Sequence, residues 1–116
     1  MERVIQSEVV WVALPEPAGP RPAIVVQGDA HNASALLTTI IVPLTTNERL
    51  AAMPGNFRLT ARQSGLKRAS IANVSQLQVI PKGSVGRRVG HLSSAKMREL
   101  WAGINLVFGS PFRLDL

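Results

Sequence analysis

The chain contains no cysteine. That removes disulfides, thiolate nucleophiles and cysteine-ligated zinc together. It has no tyrosine, and its aromatic residues are few: Trp11, Phe57, Trp101, Phe108 and Phe112. A surface that binds nucleic acid by stacking several bases on rings is not expected from so few. No apolar run approaches a membrane span; Val9–Leu14 is also too short for the core of an export signal, and Met1–Gln6 is charged. These absences predict a cytoplasmic protein with no membrane contact. The glycines are scattered singly, so no nucleotide-binding glycine loop is present. Acidic residues are missing from one long stretch: between Arg49 and Arg98 there are ten lysines and arginines and no carboxylate.

What remains is a chain of 116 residues, 46% apolar, 17% charged and with a net charge of +6. Such a length and composition predict a single globular domain over residues 1–116. Residues 1–48 are slightly acidic, with Arg3 and Arg21 against Glu2, Glu8, Glu16, Asp29 and Glu48. The basic excess is therefore confined to the second half. Like charges crowded into one folded stretch repel, which a polyanion or an acidic partner offsets.

Strands dominate the first half. Glu8–Leu14, Arg21–Gln27 and Leu36–Leu44 are continuous apolar runs rich in Val, Ile and Thr, as expected of strands covered on both faces or of a tightly curled sheet. Pro15–Pro20 predicts a stiff connection, Gly28–Ser34 a turn and Pro54-Gly55-Asn56 another. Phe57–Thr60, Ser70–Val74, Gln76–Ile80 and Val85–Val89 read as shorter strands, and Gln63–Arg68 as one helical turn or a loop. The last element is a helix. Met97, Leu100, Trp101, Ile104, Val107 and Phe108 fall on one face, Ser93 or Ser94 caps it, and Gly109 with Pro111 ends it. Gly103 within it is either tolerated or admits another backbone closely. Strands followed by a terminal helix predict an α+β fold, a small curled antiparallel sheet or SH3-like barrel with a C-terminal α-helix.

Two local arrangements invite chemistry. In Arg21-Pro22-Ala23-Ile24-Val25-Val26 an arginine is fixed by prolines at the mouth of a buried strand, where a guanidinium can grip a phosphate and stabilise a phosphorane. In Val42-Pro43-Leu44-Thr45-Thr46-Asn47 a buried strand ends in hydroxyls and an amide, suited either to phosphate oxygens or to turn chemistry. A metal site would need Glu8, Asp29 and Glu48 gathered from far apart, and an acid–base pair would need His31 beside His91. No metal or cofactor is expected.

These residues resemble a family. An apolar strand with Trp11, then Arg21-Pro22-Ala23-Ile24-Val25-Val26, Asp29, Asn32 and Ser34, then Ile41–Asn47, Ser70–Gln76 and the terminal helix, is similar to the MazF or PemK toxins over roughly residues 5–108. The resemblance implies a toxin of a bacterial toxin–antitoxin module: a homodimer neutralised by an acidic antitoxin. It also implies a metal-independent, sequence-selective endoribonuclease of single-stranded RNA, in which ribose 2′-hydroxyl attack leaves a 2′,3′-cyclic phosphate and a 5′-hydroxyl. It assigns the catalytic arginine to Arg21, assisting proton transfer and neutralising the phosphorane. It assigns the catalytic threonine to Thr45 and an RNA contact to Gln76, while the strand-end hydroxyl and amide of Thr46 and Asn47 are expected to contact RNA beside them. The chain differs from the usual pattern in having Ser7-Glu8 where Gly-Asp or Gly-Glu is common, a short proline loop before Arg21, and Ser75 before the glutamine. The alternative is the similarly folded CcdB toxins, gyrase inhibitors without catalysis, which share Val42-Pro43-Leu44 and the Ile104–Phe108 segment. Their gyrase-binding Trp-Gly-Ile is not matched here.

Overall fold

The computed structural model describes residues 3–109. Its organising element is a long strand that serves two neighbours in succession. The strands are β1 (Glu8–Ala13), β2 (Pro20–Val25), β3 (Thr38–Thr45), β4 (Phe57–Leu59), β5 (Ser70–Ala72), β6 (Gln78–Pro81) and β7 (Val85–His91). The helices are α1 (Asp29–Asn32), α2 (Ala61–Ser64) and α3 (Ser94–Phe108). All pairings are antiparallel, in the order β4-β5-β3-β2-β1-β7. β6 pairs with the first half of β3, Thr38 to Ile41, while β5 takes its end at Leu44 and Thr45. β3 therefore bends from one partner to the other, and the sheet curls about it. Register shifts along β1 and β7 add to the curl, since a bulged ladder twists more strongly.

The curl explains why the apolar runs are continuous and not alternating. Val9, Ile24, Val42 and Leu44 face one core with Leu59, Val74 and Leu100. Their neighbours in sequence, Val10, Ala23, Val25 and Ile41, face a second core with Val12 and Ile80. Both faces are covered, so period-2 alternation has no reason to appear.

The terminal helix starts where expected, with the Ser93 hydroxyl accepting from the Lys96 amide at 3.2 Å, and it closes on Gly109 at φ +58°. Pro111 lies outside the described residues. Met97, Leu100, Ile104 and Val107 pack on the first core, but Trp101 and Phe108 are exposed, at 43% and 66%. The expected single face is thus wider than the area the core covers. The two readings of Gly103 are resolved in favour of close approach: a Cβ there would collide with the Gly55 carbonyl.

Several expected boundaries move. β3 begins at Thr38, not Leu36, because Leu36 and Leu37 are exposed. Gly28–Ser34 contains the helical turn α1, and Asn47 opens an unpredicted 3₁₀ turn, Glu48–Ala52. β5 stops at Ala72, so Gln76 lies in a 3₁₀ turn, Val74–Gln76, and does not start a strand. α2 is capped reciprocally by Thr60 and Gln63, leaving 65–69 as a loop.

Candidate active site

Arg21 is held from three directions. Pro20 and Pro22 restrict the backbone on either side. Val12 of β1 stands opposite it in the ladder. The preceding loop closes on itself, with the Leu14 amide donating to the Gly19 carbonyl and the Ala18 amide to the Pro15 carbonyl, both at 3.1 Å. From that loop the Ala18 carbonyl accepts from Arg21 Nε at 3.2 Å, which orients the side chain and leaves the outer guanidinium nitrogens for another acceptor.

Thr45 ends β3, opposite Ile71 of β5, and its hydroxyl accepts from the Asn47 amide at 3.1 Å. β2 and β3 pair with Ala23 opposite Pro43. The paired register ends there, with Arg21 two residues before Ala23 and Thr45 two residues after Pro43. Residues 24 positions apart in the chain thus come to adjoining strand ends, and both line one open groove of about 670 Å³.

Among the described residues five cations line that groove, Arg21, Lys67, Arg68, Arg87 and Arg88, and no carboxylate does. Arg88 is tied to Glu8, Nε to Oε2 at 2.8 Å. Thr46 and Trp11 also line it, Trp11 half-buried opposite Pro22. A guanidinium, a hydroxyl and a surplus of positive charge at a strand end suit binding and strain of a phosphodiester.

Not every expected site residue falls there. Asn47 and Gln76 do not line the groove. The Asn47 carboxamide oxygen caps the 3₁₀ turn, accepting from the Arg49 amide at 3.1 Å, and Gln76 is exposed on a turn whose preceding residue Asn73 donates to the Pro43 carbonyl. The carboxylates are dispersed to separate partners: Glu8 to Arg88, Glu48 to Arg58 at 2.7 Å, and Asp29 to the Gln6 amide at 2.7 Å. Among the described residues no three His, Asp or Glu side chains are grouped to hold a metal. His31 and His91 lie outside the groove. Sequence reasoning missed Trp11 and Ser70 as groove residues and did not single out Lys67, Arg68, Arg87 and Arg88 from the rest of the acid-free stretch. Their only signal was membership of a strand or of the acid-free stretch, and a charge count alone does not say which cations converge.

A larger cavity, about 770 Å³, lies where β2 ends and β3 begins, bordered by Asp29, Asn32, Leu37 and Lys82. Lys82 and Asn32 on its border are already engaged. Lys82 Nζ donates to the Ser34 and His31 carbonyls at 3.1 and 3.4 Å, and Asn32 sits in a buried network with Gln27 and Thr39.

Comparison with known proteins agrees on one group. Residues 5–108 match the family described as PemK-like, MazF-like toxin of type II toxin–antitoxin system. Endoribonuclease MazF6 of Mycobacterium tuberculosis is 37% identical over 109 residues, covering 90% of this chain and 96% of that one; endoribonuclease MazF2 of Mycobacterium bovis matches equally. Among solved structures, the Mycobacterium tuberculosis toxin MazF-mt6 superposes with a TM-score of 0.79 at 20% identity, covering 90% of this chain and 99% of that one. A mycobacterial endoribonuclease in complex with its cognate antitoxin gives 0.78 at 19% identity, covering 95% and 99%. No helix among the described residues is long and apolar enough to cross a membrane.

Proposed function

The chain belongs to the PemK-like, MazF-like toxins of type II toxin–antitoxin systems, and from that premise we propose that it is an endoribonuclease that cleaves single-stranded RNA in the groove between Arg21 and Thr45. The observation that carries this is the convergence of the two residues from β2 and β3 in a groove lined, among the described residues, by cations and by no carboxylate. The curated relatives, endoribonucleases by name, support the same reaction. None of the relatives and structures named above is a gyrase inhibitor, and nothing favours that alternative.

In this reading the 2′-oxygen attacks the adjacent phosphorus, the bond from phosphorus to the 5′-oxygen breaks, and a 2′,3′-cyclic phosphate forms. The proton lost from the 2′-hydroxyl is balanced by one taken up at the departing 5′-oxygen. The Arg21 guanidinium, held by Ala18, assists that transfer and offsets the charge on the equatorial oxygens of the phosphorane. The Thr45 hydroxyl, freed from or shared with the Asn47 amide, donates to a phosphate oxygen and holds the phosphorus in line. Thr46 contacts the nucleotide in the groove. Asn47 and Gln76 contact RNA that extends past its wall.

The protein works in the cytoplasm without a cofactor and as a homodimer, with the exposed Trp101 and Phe108 of α3 as apolar surface for a second copy. An acidic antitoxin occupies the same cationic groove as RNA. The test is incubation of purified protein with long single-stranded RNA in EDTA, followed by analysis of the ends. Discrete fragments with 5′-hydroxyl and cyclic phosphate ends are expected; intact RNA together with inhibited DNA supercoiling by gyrase would move the protein to the other class.

A further inference from the structure

Lys67 and Arg68 are carried by a loop, yet the fold fixes that loop against β7 at two backbone contacts. Gly65 has φ +85°, and a Cβ on it would collide with the Val89 carbonyl; a Cβ on Gly90 would collide with the Ser64 carbonyl. The chains touch main chain to main chain, with no room for a side chain between them. Buried Ser64 reinforces the loop, its hydroxyl accepting from the Leu66 amide at 3.0 Å, and Leu66 packs on the core.

On the facing side, β7 is irregular. Val10 pairs with Arg88 but Val12 with Val85, so Gly86 and Arg87 together stand opposite Trp11. Such a bulge re-aims a side chain. The result is three exposed cations, Lys67, Arg68 and Arg87, lining one groove. Among the described residues none of the three makes a side-chain ion pair or hydrogen bond. Three other cations of the basic stretch are matched by carboxylates: Arg58 by Glu48 and Lys96 by Glu99, which flank the stretch, and Arg88 by Glu8 of β1. Beside them lies Ser70, 3% exposed, whose hydroxyl is the one buried side-chain oxygen or nitrogen without a partner among the described residues. It too lines the groove, next to Ile71, the rung opposite Thr45.

Crowded unpaired cations and an unpaired buried hydroxyl both lower stability, and an oxyanion relieves both. Resting on the ribonuclease reading, we infer that Lys67, Arg68, Arg87 and Ser70 form a second phosphate subsite, for a backbone phosphate of the RNA other than the one being cleaved. The half-buried Trp11 in the same groove favours a nucleotide over an acidic peptide, because an indole offers a base a stacking face that a carboxylate cannot use.

The test is binding of a labelled, uncleavable 2′-O-methyl oligonucleotide at several KCl concentrations, by fluorescence anisotropy. The variants are Lys67→Ala/Arg68→Ala/Arg87→Ala and, separately, Ser70→Ala. For single strands the slope of log K against log salt falls by about 0.7 for each phosphate contact removed. The triple variant is expected to lose about that much slope and to bind at least tenfold more weakly at low salt, while its Tm holds or rises. Ser70→Ala should bind several-fold more weakly with Tm unchanged or raised, which a merely structural serine would not do. On cleavable RNA, KM should rise and kcat stay within about twofold. An unchanged slope, or loss of poly-glutamate binding with RNA binding intact, overturns the subsite. Wild-type protein that binds but never cuts RNA sinks the ribonuclease reading and leaves the subsite standing; cutting with an unchanged slope in the triple variant does the reverse.

Discussion

β2 and β3 lie side by side and antiparallel, and their two ends treat polar residues in opposite ways. At the end where β2 leaves off and β3 starts, Gln27, Asn32 and Thr39 are buried and satisfy one another. Gln27 Nε2 donates to Asn32 Oδ1 at 2.9 Å, Thr39 Oγ1 to the same oxygen at 2.8 Å, and Asn32 Nδ2 to the Gln27 carbonyl at 2.8 Å. At the other end Arg21 is exposed, Thr45 half-exposed, and their side-chain bonds reach only the loop carbonyl of Ala18 and the turn amide of Asn47. Both ends contribute residues to the family pattern. One set is committed to holding the strands; the other keeps capacity for a ligand. Residues of one motif therefore divide by what their polar atoms already do, a division that spacing along the chain does not reveal.

That contrast is open to direct attack. The largest expected effect is Arg21→Ala: RNA cleavage falls by at least about 10²–10³-fold, as for removal of a single charged transition-state donor, while thermal unfolding stays where it was. Measured cleavage rates beside a melting curve check both halves. Asn32→Ala should give the mirror image. It orphans donors on Gln27 and Thr39, and a buried group left unmatched costs about 1–3 kcal/mol, so about 3 kcal/mol of stability is lost in denaturant titration with cleavage per folded molecule unchanged. Thr45→Ala is expected next. A hydrogen bond to a charged group contributes about 1.5–3 kcal/mol, which corresponds to a loss of about 10- to 150-fold in kcat, with little change in Tm because the Asn47 amide it leaves is exposed to water. The smallest effect sharpens the account of the fold. Ser7 has φ +76°, a left-handed conformation for a residue with a Cβ, fixed because its amide donates to the Val25 carbonyl and its carbonyl accepts from the Leu92 amide. Ser7→Gly should raise stability by about 1 kcal/mol, read as a shift in denaturant midpoint at constant m-value.

Legibility in the sequence followed the same physical line. The long strands were readable because both faces are covered, which leaves an unbroken apolar run, and α3 because its caps are local. Trp101 and Phe108 were misplaced because apolar periodicity gives a stripe but not the width of the core beneath it. Gln76 was misplaced because an Asn-initiated 3₁₀ turn has no period to detect in three residues. At the site, Arg21 and Thr45 were legible as chemistry from their prolines and strand end. Their meeting depends on register, and the convergence of Lys67 with Arg87 depends on glycine contacts between segments more than twenty residues apart. Neither has a local signature.

The most direct measurement is single-turnover cleavage of one single-stranded RNA by wild-type, Arg21→Ala and Asn32→Ala proteins at equal concentrations of folded molecule. The account predicts superimposable rates for wild type and Asn32→Ala, with Arg21→Ala slower by two orders of magnitude or more. An Arg21→Ala protein that cuts normally, beside a folded Asn32→Ala protein that does not, would contradict it.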